Sequence, residues 1–351
     1  MTERARRAAF ESPAQGALTI RPALIGAAFL GLALAVWLIV RSGAEDVGRA
    51  MLLVGWGLAA ITAFHLLPMW LSALSWRELL PRSSRLDVAS VTWMRWIRES
   101  INSLLPVAGV GGDVACARLA HLCGVTAKEA TASMVVDVTV GAATQLIYVA
   151  IGVALLLLRS TAPEVLAVAW VALAGIAVFV GVMAAFVALQ QRGMLALSMR
   201  LAAGLLRSAR VGAAAGGAAA IDDAVTALYR DRASLWRAGL IRLLGWAAGT
   251  GETWLVTLFL GQPLSLTDAF ILESLGAGVR GAAFMVPGQL GVLEGSFIVF
   301  GALFGLPAGS ALTISLARRV RELALGLPGL LVWHWIETRR LLRRPPGGSS
   351  T

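Results

Sequence analysis

Groups that ligate or titrate are scarce in this chain of 351 residues: two cysteines, three histidines, and only 14% charged residues. Cys116 and Cys123 lie seven apart on one helical pattern, where a disulfide is geometrically strained, and two thiols without His or Cys neighbours make no zinc site. His65, His121 and His334 stand apart in the sequence, so neither a metal site nor a catalytic triad is expected. The chain has no Gly-x-Ser-x-Gly, His-Glu-x-x-His or P-loop pattern, and no catalytic residue or cofactor is predicted. Lys128 is the one lysine, and the net charge of +10 is carried by arginines. These fall between apolar runs and do not gather on one soluble face, which argues against a nucleic-acid partner.

What the chain has in excess is apolar surface. It is 58% apolar, with 38 glycines outside that count and a mean hydropathy of +0.77; average soluble chains are about 45–50% apolar with glycine included. Runs of spanning length lie at 22–40, 47–74, 127–158, 164–190, 237–260 and 308–336, against about 20 residues per span. The prediction is an all-α polytopic membrane protein with about six full transmembrane helices. Arginines follow the positive-inside pattern: Arg4, Arg6, Arg7 and Arg21; Arg77, Arg82, Arg85, Arg95 and Arg98; six between 192 and 232; and Arg339, Arg340, Arg343 and Arg344. Only Arg41, Arg49 and Arg159 lie opposite, so both termini are expected in the cytoplasm.

That orientation leaves two apolar stretches that must return to the face they entered: 86–124 from the cytoplasmic side and 266–306 from the outer side. Each is interrupted by Pro and Gly, and each reads as a re-entrant broken helical hairpin. The predicted organisation is a basic N-terminus (1–21), a first membrane half (22–191), a linker (192–236), a second half (237–338) and a disordered basic tail (339–351). In the linker, Met194, Leu197, Leu201 and Leu205 recur at helical spacing, which fits helices on the inner membrane surface; a solvated linker is the plainer alternative.

The two breaks share a pattern. The first reads Glu99-Ser-Ile-Asn102, Pro106, Gly109, Gly111, Gly112, Asp113; the second reads Glu273-Ser-Leu, Arg280, Pro287, Gly288, Gly291, Glu294. Each has a Glu-Ser-aliphatic start, a Pro, and an acid seven residues beyond it. Similar interrupted segments entering from opposite faces suggest an inverted repeat with a binding site near the midplane. Non-helical backbone at that depth must be covered by protein or line a wet cavity. Gly111, Gly112 and Gly291 are then candidates to present backbone donors, and Asp113 is placed to cap a helix Val114–Leu122. Kinks in packed helices, and purely structural acids, are the alternatives.

Charges at membrane depth add a second signal: Arg118, Asp137, Glu252, Arg280, Glu294, Arg318, Arg319, Arg321 and Glu322. An unpaired charge at a helix centre costs about 2.5–3.5 kcal/mol, so these must face one another or water. Arg318 and Glu322 could pair along one helix. The arginines of this stretch outnumber its single acid, an excess that would suit an anionic or strongly hydrogen-bonding head group.

These residues carry a resemblance. Asn102-x-Leu-Leu-Pro106 to Gly111-Gly-Asp113 and Arg118, then Pro287-Gly288-x-x-Gly291-x-x-Glu294, then Arg318-x-x-Arg321-Glu322 are similar to the flippase-like membrane domain of lysylphosphatidylglycerol synthases. Glu273-Ser-Leu-Gly with Arg280, and the closing Arg321-Glu-Leu-x-Leu-Gly-x-Pro-Gly-Leu, most resemble its hopanoid-associated HpnL-type branch. The resemblance implies a bacterial inner-membrane lipid transporter, with hopanoids as cargo and hopanoid-biosynthesis proteins as partners. It carries a substrate or gate role to Asn102, Pro106, Gly111, Gly112, Asp113, Arg118, Pro287, Gly288, Gly291, Glu294, Arg318 and Glu322; position and charge add Arg280 and Arg319. Gln289 and Leu293 depart from the family pattern. A flippase for anionic or aminoacylated phospholipids, or an intramembrane head-group enzyme, is the rival. Synthase chemistry, which belongs to a soluble domain in the namesakes, is not expected.

Overall fold

The computed structural model describes residues 52–105, 110–159, 162–199, 209–283, 289 and 291–343. The expected first span at 22–40, both basic ends of the chain, and Pro106, Pro287 and Gly288 lie outside the described residues. Among those described there is no strand. The chain is a helical, multi-pass membrane protein. Its helices are α1 (Gly57–Arg77), α2 (Val88–Leu104), α3 (Gly111–Leu122), α4 (Ala127–Arg159), α5 (Pro163–Gln191), α6 (Ala209–Arg230), α7 (Arg232–Phe259), α8 (Leu266–Ala282), α9 (Val292–Ala302) and α10 (Ala308–Arg343).

Three described helices, α1, α4 and α5, are long and apolar enough to cross a membrane by length and composition. The long helices α7 and α10 carry Arg242 and Glu252, and Arg318 through Glu322, within their apolar stretches. The run 47–74, expected as one span, is divided: Gly55 turns the backbone at φ +41° and α1 begins at Gly57. A positive φ is open to glycine at little steric cost, so the run reads as continuous in composition while the helix is not.

Each interrupted stretch is a pair of helices, one longer and one shorter, that pack on one another. In the first pair α2 has 17 residues and α3 has 12; in the second α8 has 17 and α9 has 11. At 1.5 Å per residue these run about 26 Å and about 17 Å, short of a hydrocarbon core of about 30 Å. Asp87 opens α2 and Ser265 opens α8 by accepting the amides of Ser90 and Asp268, the usual N-cap bond.

Around the pairs the long helices interlock. α1 lies along α7, α4 along α8, and α10 along both α2 and α9, so α10 touches both broken pairs. Trp76, Met94, Ile97 and Cys116 form one core; Ile61, Leu272, Phe297 and Ile314 form another. The described parts of the 192–236 segment pack on the bundle. Asp222 accepts the amides of Leu195 and Ala196, and Val225 of α6 packs among Leu79, Ala132 and Val136. Helix α7 begins inside the expected linker, at Arg232.

Candidate functional site

Apart from Arg118, the charges expected at membrane depth pair in three groups, with Arg319, Glu294 and Glu322 attached through Arg321. In the first, Asp137 of α4 has no exposed surface. It accepts from Arg95 of α2 and Arg242 of α7, each at 2.7 Å. Both guanidiniums also donate to Ser72 of α1. Arg98, one turn beyond Arg95, pairs with Asp113 of α3. Arg95 and Arg98, counted above among the cytoplasmic-side positive charges, are turned toward buried carboxylates, where the pairing offsets their desolvation.

The second group centres on His65 of α1. Its Nε2 lies 2.6 Å from Glu99 Oε1 and its Nδ1 lies 2.7 Å from Glu252 Oε1. Arg321 Nη1 stands 2.9 Å from the same Nδ1 and is bonded to Glu252 Oε2. In the third group Arg318 forks onto Glu273, with Nη1 to Oε1 at 3.0 Å, and donates to Thr253 Oγ1 at 2.7 Å. The guanidinium also lies over the Phe297 ring, 5.0 Å from its centroid, a cation–π contact. Arg280 reaches Glu273 at 3.6 Å.

Arg319 joins α10 to the second broken pair. It donates to Glu294 Oε1 at 3.2 Å and to Glu322 at 3.1 Å. Glu294 is 1% exposed, and its Oε2, like Arg319 Nη2, has no hydrogen-bond partner among the described residues. Asp113 and Glu294 occupy the same place in their pairs, the third residue of the shorter helix. Asp113 is thus inside the first turn of α3 and does not cap it: the helix starts two residues before it, and its carboxylate goes to Arg98.

The glycines divide. Gly112 donates its amide to Asn102 Oδ1 at 2.8 Å, so it does not offer a free donor to a ligand. A Cβ there would meet Arg98 O at 2.3 Å; its smallness lets α3 close on α2. Gly291 takes φ +77° and heads α9, a conformation for which glycine is suited. Gln289, at φ +52°, donates to Arg280 O at 3.1 Å and so serves a carbonyl at the end of α8. Arg118 is not in the network; it pairs with Glu337, half exposed.

Beside the second break an apolar cavity of about 490 Å³ lies between α4, α5 and α8. Its walls include Ala142, Val149, Ala172, Gly175, Gly278 and Gly281. Val165, Ala169, Ile271 and Leu275 join one buried cluster between α5 and α8. Gly281 and Ala282, the last turn of α8, line the cavity where the break begins. Gln145 puts the one amide side chain on this wall and donates to Ala277 O at 2.6 Å.

The sequence profile of the lysylphosphatidylglycerol synthase TM region matches residues 24–329. The chain belongs to this family. Membership covers the described helices from α1 to the middle of α10, and with them all three charge groups. It makes the protein a membrane-embedded member of a lipid-related family. No curated protein and no solved structure matches the chain.

Sequence reading of this family member found Glu294, Arg318, Arg319 and Glu322, which the fold gathers on α9 and α10. It missed His65, Arg95, Arg98 and Arg242 as network members. The signal was present in part, since Arg242 lies inside an apolar run, but His65 has partners 34, 187 and 256 residues away and looks isolated on the chain.

Proposed function

We propose that this protein is a bacterial inner-membrane lipid transporter of the flippase type, and that its cargo is a hopanoid with a hydroxylated head. In this reading the two broken pairs are re-entrant elements related as an inverted repeat. The lipid body lies in the apolar cavity and its head reaches the second break. The observation that carries the reading is the buried pair Glu294 Oε2 and Arg319 Nη2, each without a partner among the described residues. Together they are one acceptor and one donor, which is what a hydroxyl needs on its two sides. Buried polar atoms left unsatisfied cost about 1–3 kcal/mol each, so a head group that bonds both gains that energy on arrival. The wall is apolar, with Val149, Val168, Phe179 and Phe300 beside its alanines and glycines, and an apolar wall suits a lipid body.

The arginine excess expected along α10 is offset by its partners, although the Asp137 group keeps three guanidiniums, Arg95, Arg98 and Arg242, to two carboxylates, Asp113 and Asp137. Four guanidiniums, Arg280, Arg318, Arg319 and Arg321, face five carboxylates, Glu99, Glu252, Glu273, Glu294 and Glu322. An anionic head group loses its support. A cationic, aminoacylated phospholipid is the second reading, because the same carboxylate excess favours it.

The test is the lipid inventory of separated inner and outer membranes, in cells with the protein, without it, and with Glu294→Gln. Transport predicts unchanged total hopanoid that accumulates in the inner membrane in both deficient strains. Accumulation of aminoacylated phospholipid in its place selects the second reading. A lipid species that disappears, with a precursor building up, marks an enzyme and ends the transport reading.

A further inference from the structure

We infer that His65, set between Glu99 and Glu252, is a proton-binding site whose occupancy switches the hydrogen bonding of Arg321. The geometry of Nδ1 makes the case. It faces two groups of opposite character: Glu252 Oε1 at 2.7 Å, an acceptor, and Arg321 Nη1 at 2.9 Å, a donor. One nitrogen satisfies one of them at a time. With a proton, Nδ1 donates to Glu252 and has nothing to give Arg321. Without one, Nδ1 accepts from Arg321, and Glu252 Oε1 is left against a lone pair unless it carries the proton itself.

Nε2 supplies the connection outward. It donates to Glu99 Oε1 at 2.6 Å in either state, and the Glu99 side chain is 40% exposed while that of Glu252 is 4% exposed. A cleft with room for about one water is lined by His65, Glu99, Ser103, Arg321 and Glu322. The neutral ring has a second tautomer, with its proton on Nδ1 and Nε2 bare; from it a proton arriving at Glu99 passes to Nε2, giving the imidazolium, and Nδ1 then releases its proton to Glu252, which leaves the ring neutral with its proton on Nε2. Atoms and charge balance at every step, and no other reactant is required. Histidine between carboxylates is a recurrent form of proton relay at membrane depth.

Charge balance supports occupancy. The groups facing the ring are Glu99 from α2, Glu252 from α7, and Arg321 with Glu322 from α10. Across the two groups that α10 holds, five carboxylates face the four guanidiniums named above, so one added proton brings those two groups to neutrality. The consequence reaches the second broken pair through α10. Arg321 shares that helix with Arg318 and Arg319, which hold Glu273 and Glu294. The proton therefore sets the partner of one guanidinium within a turn of the two that grip α8 and α9.

The experiment is nitrogen-15 NMR on the full chain, labelled at histidine and held in nanodiscs of phosphatidylethanolamine and phosphatidylglycerol. His121→Gln and His334→Gln in the background leave His65 as the one labelled ring. The expected result is an Nδ1 signal that changes from protonated to acceptor as pH rises. Glu99→Gln, an isosteric change at a partly exposed side chain, moves that midpoint down by about 1 unit or more, because one negative neighbour is gone. Glu252→Gln moves it down as well. An Nδ1 that keeps one protonation state at every pH where the protein is folded, or a midpoint indifferent to Glu99→Gln, overturns the proposal. The lipid reading fails separately: a ring that titrates as stated, with membrane lipids indifferent to Glu294→Gln, keeps the proton site and removes the cargo.

Discussion

Asp137 has no exposed surface and two buried guanidiniums for partners. Its value lies less in the attraction than in what its loss would leave behind, since removing one member of a buried pair strands the others without a counter-charge. Asp137→Asn is therefore expected to cost about 3–5 kcal/mol, read as a large fall in thermal midpoint in detergent. Arg118→Gln supplies the contrast. Its pair with Glu337 is half exposed, and such a pair is worth about 0–1 kcal/mol, so the midpoint should barely move. Equal effects of the two substitutions would mean that the Asp137 group is wetter than its geometry implies.

At the scale of elements, the first broken pair is closed by one glycine and one amide. Gly112→Ala places a methyl 2.3 Å from Arg98 O and 2.6 Å from Asn102 Oδ1, and backbone cannot swing away as a flexible side chain would. An overpacking cost of about 1–3 kcal/mol is expected, with faster hydrogen exchange in α3 and little change in α8. Asn102→Ala removes the acceptor of the Gly112 amide and should loosen the same helix without a clash; if exchange in α3 is untouched, the two helices are held by something else. Helix α7 has its own tie. The hydroxyl and amide of Ser234 bond to Asp231 and hold that carboxylate below its usual range. A depressed carboxylate stabilises above its unfolded value and loses that contribution as pH falls through its folded value. The first turn of α7 should therefore fray under acid, and Asp231→Asn should abolish that pH dependence in amide exchange.

Across the whole molecule, what the sequence disclosed follows from what determines each feature. Runs 127–158 and 164–190 match α4 and α5 closely, because apolar composition alone makes a helix that faces lipid. The break at Gly55 escaped, since one positive φ leaves no trace in hydropathy. Arg95 and Arg98 were counted as cytoplasmic-side charges because a positive-inside tally cannot see which side chains of α2 meet buried carboxylates. The cavity could not be read at all: its walls come from α4, α5, α8 and Phe300 of α9, which lie far apart on the chain. That last point is testable through Gly175, which lines the cavity and has nothing within 4 Å of where a Cβ would stand. Gly175→Phe should fill the space without straining the fold. Gly181 lies on the same helix, is equally open, and is not part of the cavity wall, so Gly181→Phe is the matched control. If the cavity holds the lipid body, Gly175→Phe should trap that lipid in the inner membrane at an unchanged thermal midpoint, with Gly181→Phe behaving as the parent. Normal lipid distribution in both would move the lipid body elsewhere on the bundle and leave the cavity a packing gap between α5 and its neighbours.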